Sequence, residues 1–214
     1  MEDDYKNNFR NLSIAASAAI PIVGGPISFL LDKYVPSFIE EKRDKFLKSL
    51  NNELQKIIDS GSKVDLESDR FISIFIRCVK LAIEESEQEK IDSFRNIILN
   101  SAIPEKQDFD LTTLLMNWVR DFTVDHIRII KAIQNNHEIS HYEKESDLYY
   151  ALEHHFRNIP KSFLITLSQD LISKNIVIYG KGKVTVEIPN ETGKSWYLSD
   201  IGEIFVDYIT LPKH

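Results

Sequence analysis

Ile176-Val-Ile-Tyr179, then Gly180-Lys-Gly-Lys183, then Val184-Thr-Val-Glu-Ile188 is the stretch that decides the fold. Two β-branched runs flank a turn whose glycines permit a tight reversal. Helical periodicity lies on both sides. Upstream, Ile127, Ile130 and Ile133 mark a helix over Val124 to Gln134. Leu148, Leu152 and Phe156 mark a second, from about His141 to Phe156. Pro160 suits the first turn of a third, which carries Phe163, Leu164, Leu167, Leu171 and Ile172 inward and ends near Asn175. Downstream, a longer tip from Pro189 to Lys194 leads to a closing strand residue or two at Tyr197. Ser199 then caps a final amphipathic helix to Ile209. Helix, helix, helix, strand, strand, helix is the order of a winged helix-turn-helix with a small β-wing.

Such modules bind nucleic acid or protein and seldom carry chemistry. In the DNA-binding form the third helix enters the major groove. Its outward positions here read as Lys161, Ser162, Ile165, Ser168, Gln169 and Asp170. One lysine, one aspartate and no arginine equip it poorly for phosphates or for bidentate reading of guanine. The wing is richer, with Lys174, Lys181, Lys183 and Lys194. The candidate contact residues for nucleic acid or a partner are therefore Lys161, Ser162, Gln169, Lys181 and Lys183. The net charge of −7 disfavours a simple duplex binder.

The first half reads as a helical domain, residues 1–107, with the winged-helix-like part over 108–214. Leu12 to Leu31 carries no charge and is broken by Pro21, Gly24, Gly25 and Pro26. Twenty residues approach a bilayer span, but the Gly-Gly-Pro turn divides the run into a hairpin. It suits a buried soluble hairpin, or a segment for self-association and conditional membrane contact. Ser37 and Glu40 form a capping box for a helix to about Ile58, stopped by Ser60-Gly61-Ser62. Its apolar stripe is Phe46, Leu47, Leu50, Leu54, Ile57 and Ile58, continuing from Phe38 and Ile39. Phe71 to Ile83 is a central buried helix, and Glu87 to Asn100 another, with Ile91, Phe94, Ile97 and Ile98 inward. Pro104 to Asp108 marks the break between domains, and Leu111 to Val119 a connecting helix.

His137-Glu-Ile-Ser-His141 matches the H-E-x-x-H of zinc hydrolases, where two histidines one turn apart hold the metal. Asn135 and Asn136 end a helix just before it, and Ser140-x-x-Glu143 looks like a capping box that starts another. The histidines then flank a helix boundary, and no third ligand follows at a recognised spacing. No phosphate loop, nucleophile elbow or cysteine cluster is present. The reading assigns no catalytic, cofactor or metal-binding residue. Trp118 and Trp196 read as packing residues, and Cys78 as a small buried hydrophobe. With one cysteine no intramolecular disulfide forms, and the acidic start is unlike a secretory signal. A cytoplasmic protein with conditional membrane association is expected.

Four segments carry a family resemblance: Asp92-Ser-Phe-Arg-Asn-Ile-Ile-Leu-Asn-Ser-Ala102, Phe122-Thr-Val-Asp-His-Ile-Arg-Ile-Ile-Lys-Ala-Ile133, Leu171-Ile-Ser-Lys-Asn-Ile-Val177 and Tyr197-Leu-Ser-Asp-Ile-Gly-Glu-Ile-Phe205. Together they resemble the abortive-infection alpha group of bacterial domains. The resemblance implies a part in anti-phage defence and supplies no catalytic residue. The expectation is a non-enzymatic regulatory or protein-interaction component. A winged-helix DNA-binding regulator is the alternative, and a zinc-dependent hydrolase comes last.

Overall fold

The computed structural model describes residues 40–106, 108–135, 148–181 and 194–212. It is mostly α-helical with one two-stranded antiparallel sheet. The chain divides into two compact units, Met1–Arg120 with Tyr208–His214, and Asp121–Asp207.

The first unit is built on three mutually packed helices: α1 (Glu40–Asp59), α2 (Asp69–Glu84) and α3 (Gln88–Ser101). Helix α1 buries Phe46, Leu47, Leu50, Leu54 and Ile57, one stripe at helical spacing. It stops at Gly61, whose φ of 82° suits a residue without Cβ. There the Ser62 N–H reaches back to Ile57 O at 3.3 Å and the Gly61 N–H to Ile58 O at 2.9 Å, a Schellman ending. Helix α2 is capped by Ser68, whose Oγ accepts from the Phe71 N–H at 3.2 Å. It buries eight residues, including Phe75 and Cys78. At its end Glu85 accepts from the Ser86 and Glu87 N–H groups and pairs with Lys90 at 2.8 Å. Partial burial opposes ionisation there, but the Lys90 and backbone donors win and hold the Glu85 carboxyl below its ordinary range. A 3-10 turn, Pro104–Lys106, leads to α4 (Phe109–Asp121), which buries Leu115, Met116, Trp118 and Val119.

The second unit contains α5 (Val124–Asn135), α6 (Leu148–Leu152), α7 (Lys161–Ser173), β1 (Val177–Lys181), β2 (Lys194–Leu198) and α8 (Asp200–Ile209), the last turn of which is counted with the first unit. Helix α7 packs on α5, α6 and β1, and β2 packs on α5. Helix α7 ends at Asn175, held in the left-handed region at φ 56°. The Asn175 N–H bonds Ile172 O at 2.9 Å and the Ile176 N–H bonds Leu171 O at 3.0 Å, a second Schellman ending. The chain leaves it directly into β1. Val177 pairs with Leu198 and Tyr179 with Trp196. Thus the strand paired with β1 is Lys194–Leu198, where the sequence suggested a tip and a residue or two of closing strand. Val184–Ile188 lies outside the described residues, as do Leu12–Leu31 and His137–His141. The expected second helix is seen as Leu148–Leu152 and gives way to turns before Phe156.

Ser199 fixes the start of α8. Its Oγ accepts from the Gly202 N–H at 3.1 Å, its hydroxyl donates to Asn175 O, and its own N–H donates to Ile176 O at 3.0 Å. Gly202 passes so close to that strand entry that a Cβ there would lie 2.3 Å from Ile176 O. Alanine is the better helix former by about 1 kcal/mol, but the obstacle is backbone. Gly202→Ala is therefore expected to destabilise the protein by about 1–3 kcal/mol, read by urea unfolding. Gly180→Ala, whose new Cβ meets only the Tyr197 side chain at 3.4 Å, should stay near neutral. Equal stability of the two variants would contradict the close approach.

Candidate interaction surface

Helix α7 buries Leu164, Leu167, Ser168 and Leu171 on one side. The opposite side is Ser162, Thr166, Gln169 and Ser173, all exposed. Phe163 borders that strip on one flank and Ile172 on the other, each 39% exposed. Ile165 is half-buried. This corrects three expectations. Hydrophobicity predicts Phe163 and Ile172 inward and Ser168 outward, whereas the first two are exposed and the serine is buried. Ser168 turns in at little cost because its hydroxyl donates to Leu164 O at 2.8 Å, one turn back. The buried stripe then centres on Leu164, Leu167 and Leu171, which rotates the two bulky apolar residues toward water.

The cations near this face are engaged. The Lys161 ammonium lies 5.0 Å from the centre of the Tyr149 ring, and the Tyr149 hydroxyl donates to Glu153 at 2.7 Å. Lys174 pairs with Asp170 and lies 5.7 Å from the centre of the Phe122 ring. Of the sequence-predicted contact residues, Lys161, Ser162 and Gln169 all sit exposed on α7. Lys181 ends β1, with its Cα paired to that of Lys194. Lys183 lies outside the described residues. The unit as a whole carries 9 Lys and Arg against 13 Asp and Glu, a net of −4.

A polar cluster lies beside α7 at the start of α5. Thr123 precedes the helix, and its N–H donates to His126 Nδ1 at 3.1 Å. The Thr123 hydroxyl lies 3.0 Å from the same nitrogen. The His126 N–H points back to Thr123 Oγ1 at 3.4 Å. This is a reciprocal cap in which an imidazole stands where glutamate or glutamine is usual. The ring is buried and stacks on Phe122 with centroids 4.8 Å apart. Phe122 in turn meets Phe205 edge-on at 5.8 Å. His126 Nε2 is 3.4 Å from Asp170 Oδ2, within ion-pair range but without hydrogen-bond alignment.

In the first unit the sequence reading missed Asn96 and Asn100, both buried on α3. Asn96 Nδ2 donates to Ile209 O at 2.8 Å. The Asn100 amide group donates to Tyr208 O at 3.1 Å, Thr210 O at 3.0 Å and Asn96 O at 3.0 Å, its two protons shared among them. Lys106 Nζ donates to Asn100 Oδ1 at 2.8 Å, and the Tyr208 hydroxyl donates to Lys106 O. The signal in the sequence was two asparagines one turn apart inside an otherwise apolar helix, where asparagine is a poor choice.

Burial pushes the Cys78 thiol well above its ordinary value, against the opposing pull of Arg77, so it is unsuited to act as a nucleophile. Among the described residues, no three or more His, Cys, Asp or Glu side chains are grouped to hold a metal, and no helix is long and apolar enough to cross a membrane. No family model, curated protein or solved structure matches the chain.

Asn100→Ala would remove a donor from the Tyr208, Thr210 and Asn96 carbonyls and an acceptor from the Lys106 ammonium at once. Urea unfolding should show a loss of about 2–4 kcal/mol, given about 1–3 kcal/mol for each buried polar group left unsatisfied. Asn52→Ala, at an exposed position of α1, is the control and should change little. A loss at Asn100 no larger than at Asn52 would show that the amide network is dispensable.

Proposed function

We propose that this chain is a non-enzymatic regulatory or protein-interaction component. Its Asp121–Asp207 unit serves as a winged-helix-type module that takes a protein partner on the exposed face of α7. One observation carries the reading. The helix in the recognition position offers Ser162, Thr166 and Gln169 between Phe163 and Ile172, while its flanking cations are already engaged. A DNA-reading helix needs the reverse, with free cations and few bulky apolar groups. A protein interface favours uncharged hydrogen-bonding groups around aromatic and aliphatic anchors. The resemblance to the abortive-infection alpha group suggests the setting, bacterial anti-phage defence.

Phe163→Glu combined with Ile172→Glu places charge on this face without touching the buried stripe. In cells protected from phage by the chain, the pair is expected to abolish protection while the purified variant keeps the wild-type unfolding midpoint. Full protection by the double variant would refute the α7 interface.

A DNA-binding regulator is the second reading, favoured by the pairing of Lys181 with Lys194 in the hairpin. On the preferred reading, the protein leaves a short duplex unshifted in a gel at low salt. A salt-sensitive shift lost in Lys181→Glu with Lys183→Glu would establish the second reading in its place.

A further inference from the structure

A helix N-terminus usually borrows its side-chain acceptor from a group that stays an acceptor at every physiological pH. Helix α5 does not. The Thr123 N–H can only donate, so His126 Nδ1 must be the acceptor, and the neutral ring carries its proton on Nε2. We propose that His126 makes the Asp121–Asp207 unit proton-sensitive: protonation of Nδ1 removes the acceptor of the Thr123 N–H, places positive charge at the positive end of the α5 dipole, and loosens α5 where it packs on α7.

The surroundings set the sign. Three charged groups act on the ring: Asp170 and Lys174 from α7, and Asp125 from α5 itself. Asp170 favours the imidazolium, but its other oxygen already pairs with Lys174. Strand β2, also packed on α5, buries Ser195, Trp196 and Leu198, none of which titrates in this range. From α8 comes Phe205, against Phe122. Burial of the ring, reinforced by Lys174, outweighs Asp170 and Asp125 and holds the imidazole below its ordinary value. Thr123 is exposed, so water can deliver the proton to Nδ1.

The folded-state value lies below the unfolded one, so the unfolded chain binds the extra proton more readily. The contribution is full above the unfolded value of about 6.5 and is lost as pH falls from there through the folded value. Within that window the opening equilibrium of the unit rises by up to about tenfold per pH unit for this one proton. This proton sensitivity is independent of what docks on α7, because it appears in stability alone.

The decisive variant is His126→Gln, which keeps an acceptor for the Thr123 N–H and cannot titrate. Urea unfolding of the full chain, and amide exchange over residues 124–128, are followed from pH 7.5 to 5.0. The wild type is expected to lose stability below pH 6.5 by up to tenfold per unit relative to His126→Gln, and the two difference profiles to flatten above about pH 7. Parallel profiles throughout would overturn the proposal. Should His126→Gln fail to fold, the wild-type ring is titrated by NMR. A midpoint below 6.5, moving together with the Thr123 amide resonance, supports the switch. A midpoint at or above 6.5, or an unmoved Thr123 amide, defeats it.

Discussion

Capture of the last helical carbonyls by two buried asparagine amides is the interaction on which the first unit closes. A helix leaves its final carbonyls without intrahelical donors, and Tyr208 and Ile209 at the end of α8 are buried, away from water that could serve them. Asn96 and Asn100 supply the missing N–H groups from 113 and 108 positions earlier in the chain. Most other buried hydroxyls in the structure are satisfied at home. Ser93, Ser101 and Thr112 each donate to a carbonyl one turn back in their own segment. Asn100 also reaches Asn96 O one turn back, but the two asparagines differ from the serines in that they additionally serve the distant carbonyls of Tyr208, Ile209 and Thr210. A local segment can satisfy the serines as soon as it is helical. It can supply donors to the Tyr208, Ile209 and Thr210 carbonyls only when the tertiary structure is complete, so the network ties α3 to the chain end in the folded state.

The second unit solves the same kind of problem at the junction of α7, β1 and α8. Asn175 turns the chain in a left-handed conformation, and the Asn175 and Ile176 carbonyls are claimed by Ser199. Gly202 lets α8 come down on the strand entry. With that side of α7 fixed by packing, its other side is left to water and carries an uncharged polar strip between Phe163 and Ile172. The features that orient the helix thus also determine which residues it offers. That uncharged, partly apolar strip is the feature on which the proposed protein-contact role rests.

Local signals were legible in the sequence. The Ser60-Gly61-Ser62 stop, the helix of Phe71 to Ile83, the α5 stripe of Ile127, Ile130 and Ile133, and the Ser199 cap each depend on a few neighbouring residues, and the structure has all of them. The rotation of α7 was not legible, because a serine that bonds its own helix can occupy a core position that hydrophobicity reserves for Phe163 or Ile172. Strand β2 was reduced to a residue or two because pairing is decided by the partner strand, and Lys194-Ser-Trp-Tyr-Leu198 competes poorly on composition with Val184–Ile188. The role of Asn96 and Asn100 was not legible because the acceptors that make it, the Tyr208, Ile209 and Thr210 carbonyls, lie over a hundred residues away. His126 was passed over because an imidazole is not the residue type by which a capping box is recognised.

Side-chain amide exchange measures the asparagine network most directly. Exposed asparagine carboxamides exchange freely with solvent, whereas groups held only in the closed native state exchange through global opening. The Nδ2 protons of Asn96 and Asn100 are expected to be protected to the same degree as the backbone amides of α3, and by at least about a hundredfold over the exposed Asn52. Exchange of either pair at the rate of Asn52, in an otherwise native protein, would contradict the claim that the unit closes on them.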